Sequence, residues 1–239
     1  MISISPYNSR LLPPRQKPVF AASTELVPLQ ELTEVSDFLP TADIDVIRGI
    51  PLNPDPRDPN RFGCHGGFQL SSKNGWLFPA SEGRHSNTAE PLTPQQQKSM
   101  RQAVFNYLEH LRLRYPDLYQ KLAQAEKPRV NFYLFTYEVQ PGQTYEDPKK
   151  WHRDKGLAHL MNIPLNPHGL TGGLEVKSVK VTCKSKKDCT AALATQPTVN
   201  REGYNQGASF LTRSYLHRCT DLLNHTQYPQ QRTVLIMGV

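Results

Sequence analysis

At 239 residues, with 37% hydrophobic side chains and a formal net charge of +7, the chain has the size and make-up of one well-buried domain rich in loops. No apolar run is long enough to cross a bilayer as a helix. Met1-Ile2-Ser3-Ile4-Ser5-Pro6 lacks the basic-then-apolar layout of a secretion signal, and the four cysteines form no C-x-x-C pair. The expectation is a cytoplasmic protein with reduced thiols and no structural zinc. The positive balance reads first as a solvated basic surface, and beyond that it suits small anionic ligands. Nucleic acid is disfavoured: neither Lys149-Lys150 with Arg153 and Lys155, nor the lysines from Lys177 to Lys187, are interleaved with aromatic rings.

Residues 1–92 are rich in proline and alternate short apolar pieces with turns, as in Leu11-Leu12-Pro13-Pro14 and Phe38-Leu39-Pro40. They are expected to wrap a barrel rather than to fold alone. Within them Asp43–Arg48 and Phe68–Leu70 read as strands, and the stretch from Asn53 to Asn60 reads as a loop. Arg61-Phe62-Gly63-Cys64-His65-Gly66-Gly67 reads as glycine turn chemistry that could bring Arg61 to a pocket. Residues 93–128 are supporting helices. Thr93-Pro94 is an N-cap followed by a proline at the first helical position, and Met100, Val104, Leu108 and Leu111 form one apolar stripe. Pro116 starts a second, shorter helix.

From Arg129 the period changes to two. Asn131, Tyr133 and Tyr137 share one strand face and Phe132 and Leu134 the other, so the first set can line a polar mouth while the second packs on the helices. Pro141-Gly142 makes a turn, Gly172-Gly173 opens a strand at Leu174, lysine-rich residues 184–188 read as a hairpin tip, and residues 233–237 close the sheet. Many short strands with glycine turns and helices on one side indicate a mainly β barrel or jelly roll, its core in residues 129–239.

The chemistry concentrates in Trp151-His152-Arg153-Asp154. If this stretch begins a strand, His152 and Asp154 point to the same side and offer an imidazole and a carboxylate to one ion. His217, after the strand-like Ala208–Thr212, supplies a third donor, and Arg232 follows fifteen positions later (232 − 217). Two histidines and one carboxylate with open positions suit non-haem Fe(II), and an arginine can grip a carboxylate with two hydrogen bonds. The competing reading of His152 and Asp154 is a surface hydrogen bond. His225 competes with His217, and His159 reads either as a contact near the substrate or, with more weight, as a satisfied core histidine.

His152-x-Asp154, His159-Leu160-Met161-Asn162, Gly172-Gly173, His217 and Arg232 together resemble the double-stranded β-helix dioxygenases that use iron and 2-oxoglutarate. Among these, the resemblance is to the free amino-acid hydroxylases such as isoleucine dioxygenase, and it spans residues 129–239. It implies a cupin-like core in which His152, Asp154 and His217 hold Fe(II) and Arg232 holds 2-oxoglutarate, with dioxygen as co-substrate. It further implies hydroxylation of an aliphatic C–H of a free amino acid or similar small metabolite, with release of succinate and CO2. Asp154 favours hydroxylation over halogenation, whose catalysts lack that carboxylate. Val234 departs from the pattern, because many relatives have serine two residues after the arginine. Two other classes stay open: a non-catalytic cupin-like binding protein, and a zinc hydrolase using Glu175 as general base.

Overall fold

The computed structural model describes residues 24–25, 32–56, 58–146, 151–152, 154, 156–166, 169–177, 180–181, 198–200, 204–212 and 215–239. The pieces before residue 24 and the 184–188 tip lie outside these. In chain order the first strands are Thr24–Glu25 (β1), Leu32–Val35 (β2), Pro54–Asp55 (β3), Asp58–Lys73 (β4), Trp76–Ser86 (β5), Arg129–Val139 (β6), Thr144–Tyr145 (β7) and His159–Pro164 (β8). Then come Leu170–Thr171 (β9), Leu174–Lys177 (β10), Lys180–Val181 (β11), Thr198–Asn200 (β12), Gly207–Leu211 (β13), His217–Cys219 (β14), Leu222–Asn224 (β15) and Gln230–Gly238 (β16). The helices are Thr41–Arg48 (α1), Pro94–Arg114 (α2) and Pro116–Ala123 (α3).

The strongest local signals become the longest elements. Thr93 closes a capping box on α2: its hydroxyl accepts from Gln96 N at 3.2 Å, and Gln96 Oε1 accepts from Thr93 N at 2.9 Å. The Met100–Val104–Leu108–Leu111 stripe is fully buried. Each such side chain contributes about 1.5–3 kcal/mol relative to exposure, and Leu108→Ala would cost about 2–5 kcal/mol. Period-two alternation makes β6, with Phe132 and Leu134 in the core beneath α2.

The architecture is a double-stranded β-helix with helices on one side. An eight-stranded sheet runs β2-β13-β8-β16-β6-β4-β3, with β5 paired to β4. Two three-stranded sheets, β12-β10-β14 and β7-β15-β9, accompany it. The apolar core lies on the helical side of the large sheet, where Ile44, Ile47, Val104, Leu108, Met161, Ile163 and Leu235 meet. A separate cluster of Tyr137, Tyr145, Leu170, Leu222 and Val234 joins that sheet to the β7-β15-β9 sheet. No helix among the described residues is long and apolar enough to cross a membrane.

Three local expectations are corrected. Asp43–Arg48 is helical within α1, because Ile44 and Ile47 are three apart and bury one helical stripe completely. The stretch from Asn53 to Asn60 holds β3 and the start of β4, and the glycines after Arg61 lie inside β4 rather than in turns. For two of them the reason is close approach: a Cβ on Gly63 would sit 2.4 Å from the Phe135 ring, and one on Gly67 would sit 2.3 Å from Arg129 Nε. Residues 58–86 thus extend the large sheet itself, beyond merely wrapping it.

Candidate metal centre

The centre is assembled by backbone pairing across the cavity mouth. His152 N donates to His217 O at 3.0 Å, and His217 N donates to His152 O at 3.1 Å. This antiparallel bridge brings the two imidazoles together, with ring centroids 4.4 Å apart. His217 opens β14, where it pairs in register with Val176 of β10. Trp151, next to His152, carries two cations, Lys177 Nζ and Arg218 Cζ, each 4.7 Å from its ring centre. Arg218 also bonds Glu175 at 2.8 Å. Cation–π contacts of this kind contribute about 0.5–2 kcal/mol and fix the ring beside the ligand.

The expected strand through His152 and Asp154 is not formed. His152 makes a single bridge, the chain turns at Gly156 (φ +88°), and β8 begins only at His159. The two side chains nonetheless converge. His152 Nε2 lies 3.6 Å from Asp154 Oδ1, and His217 Nε2 lies 3.3 Å from Asp154 Oδ2. One ligand atom from each of the three residues falls within 4.8 Å of the others. Ligands about 2.1 Å from one shared ion, at right angles to each other, stand about 3 Å apart, so these separations suit a common ion. The donor set, two imidazoles and a carboxylate, is one that iron accepts. His217 is 5% exposed and its Nδ1 has no hydrogen-bond partner among the described residues.

The three residues edge a cavity of about 380 Å³. Arg232 and Tyr137 stand in its wall, with the arginine Cζ 5.4 Å from the tyrosine ring centre and the arginine 2% exposed. A guanidinium this deep in an apolar fold requires an anionic or strongly accepting partner. Arg61, Asn131 and Tyr133 also line the cavity. His159 does not: it faces the helical side, its nitrogens 2.9 Å from Tyr107 Oη and 2.7 Å from Ser209 Oγ. His225 is exposed, 3.4 Å from Thr171 Oγ1. Glu175 is engaged with Arg218 and is not among the lining residues.

Sequence reasoning passed over several wall residues. Phe135 follows from the same alternation that selected Tyr133 and Tyr137, and Ile236 from the alternation that starts at Arg232 and runs through Val234. Asn162, 6% exposed on β8, lines the cavity, and its Oδ1 has no hydrogen-bond partner among the described residues. Leu174 and Cys219 come from the smaller sheet and carry no local signal.

No family model matches the sequence, and no curated protein matches it. Solved structures share its fold. A bsmA homologue from Methylobium petroleophilum PM1 is 17% identical, with a TM-score of 0.56, over 84% of this chain and 81% of that one. IDO from Bacillus thuringiensis is 10% identical, with a TM-score of 0.54, over 87% and 88%. The Fe(II)/α-ketoglutarate-dependent dioxygenase TqaL is 13% identical, with a TM-score of 0.51, over 87% and 81%. Identities this low speak for the double-stranded β-helix and leave the chemistry to the residues in the cavity.

Proposed function

We propose that this chain is an Fe(II)- and 2-oxoglutarate-dependent dioxygenase. It hydroxylates an aliphatic C–H of a free amino acid or similar small metabolite. The observation that carries the reading is the meeting of His152, Asp154 and His217 at one cavity whose wall holds a buried arginine. TqaL, which has the same fold, is a dioxygenase of this kind. His152, Asp154 and His217 would hold the iron. Iron and 2-oxoglutarate, when bound, would supply the oxidising power, one atom of dioxygen going to the new hydroxyl and the other to succinate as CO2 leaves.

The chain's own residues bind and orient. Arg232 takes the distal carboxylate of 2-oxoglutarate through its guanidinium fork, with Tyr137 packed on the guanidinium face. Position 234 is valine and offers no hydroxyl, so Arg232 carries that grip without help from this position. Phe135, Leu160, Leu174, Val234 and Ile236 give the wall an apolar stretch that holds an aliphatic chain by burial. The hydrolase reading is weakened because Glu175, its base, is engaged with Arg218 away from the cavity lining.

The test is an anaerobic titration of the metal-free protein with Fe(II) and 2-oxoglutarate. The visible metal-to-ligand charge-transfer band should form with wild type and be lost in Asp154→Ala. In Arg232→Ala it should require far more 2-oxoglutarate. Absence of the band in wild type, together with tight zinc binding, would overturn the reading.

A further inference from the structure

The cavity holds two arginines, and the proposed co-substrate occupies one. Arg232 on β16 and Arg61 on β4 pair in register with the same residue, Tyr137 of β6. They therefore stand two strand spacings apart, about 10 Å between Cα atoms, at one end of the sheet. Among the described lining residues, Asp154 is the one carboxylate, and it belongs to the candidate metal centre. Arg61 is thus a second guanidinium at this wall, beyond the one that the dicarboxylate co-substrate engages.

Arg61 is oriented from behind. Its Nε and Nη2 both donate to a single oxygen, Asp55 Oδ2, at 3.1 and 2.6 Å, and its side chain is 12% exposed. Asp55 is not among the cavity-lining residues, and Nη1 takes no part in that pair. The guanidinium Cζ lies 5.0 Å from the centre of the Phe135 ring. Gly63 makes this possible, since any side chain there would collide with Phe135 and fill the space beside Arg61. Burial works against the charge of Arg61, but the hydrogen bonds and charge of Asp55 outweigh it and hold the guanidinium protonated. A pre-oriented, partly desolvated guanidinium is an anion receptor, and beside it the wall is apolar.

We propose that Arg61 anchors the carboxylate of the primary substrate, and that the substrate is an organic carboxylate whose apolar chain lies along Phe135 and Ile236. This rests on the dioxygenase reading for the reaction, but not for the binding. A free amino acid meets the requirement, whereas a peptidyl residue or carboxamide lacks the anion.

The probes are 4-methylpentanoate and 4-methylpentanamide, titrated calorimetrically and anaerobically into protein saturated with Fe(II) and 2-oxoglutarate. Wild type should bind the acid saturably and the amide at least about 10-fold more weakly. Arg61→Met should lose at least about 10-fold for the acid, while Arg61→Lys should fall between, keeping the charge but not the fork. Asp55→Asn separates the receptor from the salt bridge as a mere pin, because it keeps the guanidinium and loosens only its orientation, and should cost clearly less acid binding than Arg61→Met. The proposal is overturned by equal binding of acid and amide to wild type. It is equally overturned by no saturable binding of the acid, by unchanged binding in Arg61→Met, or by matching losses in Asp55→Asn and Arg61→Met. Failure of the dioxygenase reading is seen separately, as a missing charge-transfer band; the same acid and amide titrations of the protein alone then decide on Arg61.

Discussion

Two histidine clusters lie on opposite faces of the large sheet, and they differ in whether their nitrogens are satisfied. On the helical side, His159 is fully buried between Tyr107 and Ser209, and Ser209 Oγ also meets His110 Nε2 at 2.8 Å. Both rings there are held neutral. Burial lowers His159 from 6.5 to about 3, with His110 adding to the effect, and burial lowers His110 to about 4, with Arg114 adding. On the cavity side, His152 and His217 turn Nε2 atoms toward one carboxylate, and His217 Nδ1 has no hydrogen-bond partner among the described residues. The first cluster closes its hydrogen bonds within the chain and serves packing. The second gathers donors around a point that a cation would complete, which is the mark of a binding site.

The sharpest way to break this contrast is to remove one member from each cluster. Asp154→Ala should reduce 2-oxoglutarate turnover to background. It should also abolish the rise in Tm that Fe(II) gives wild type, worth about 2.7 kcal/mol at a hundred times Kd. Turnover in the variant, measured as succinate, would dissolve the distinction. His159→Leu should do the reverse. It leaves Tyr107 Oη and Ser209 Oγ buried without that partner, which lowers stability in denaturant by about 2–5 kcal/mol while Fe(II) affinity is kept.

The pH dependence sharpens the same point. Between pH 6.5 and about 4 the unfolded chain takes protons on His159 and His110 that the folded chain refuses. Stability should therefore fall as pH drops, by about 1.4 kcal/mol per pH unit for each histidine, with His159 continuing to about pH 3. His159→Leu should remove one histidine's share of that slope. A smaller effect is Ser209→Ala, about 1–3 kcal/mol, since it removes the Ser209 partner of His159 Nε2 and His110 Nε2 while Tyr107 still holds His159 Nδ1.

The elements that could be read from sequence are those whose local signal and tertiary role agree. Thr93-Pro94 with a four-residue stripe gives α2, and strict alternation gives β6 and the face that carries Asn131, Tyr133 and Tyr137. Asp43–Arg48 is too short to separate periods: its β-branched residues favour strand locally, and packing of Ile44 and Ile47 into the helical core decides otherwise. Gly63 of β4 misleads because its cause, the Phe135 ring, lies on a partner strand seventy-two residues away (135 − 63). In the metal centre, the residues were legible as a set, but not the bridge to His217 that aligns them, since pairing across sixty-five residues (217 − 152) leaves no local trace.

The position of β16 bears on how the molecule comes together. It is hydrogen-bonded on one side to β6, 91–107 residues earlier in the chain, and on the other to β8, 70–78 residues earlier. The β4–β5 hairpin, whose contacts are near in sequence, can form early, whereas β6 joins β4 across 60–76 residues and β13 joins β8 across 46–52. The two halves join only when β16 slots between them, a closure over long loops that topology makes slow. Arg232 rides on that strand, so the cavity wall it completes is absent from any intermediate in which the halves stand apart. A refolding time course followed by 2-oxoglutarate binding should lag behind one followed by helix formation.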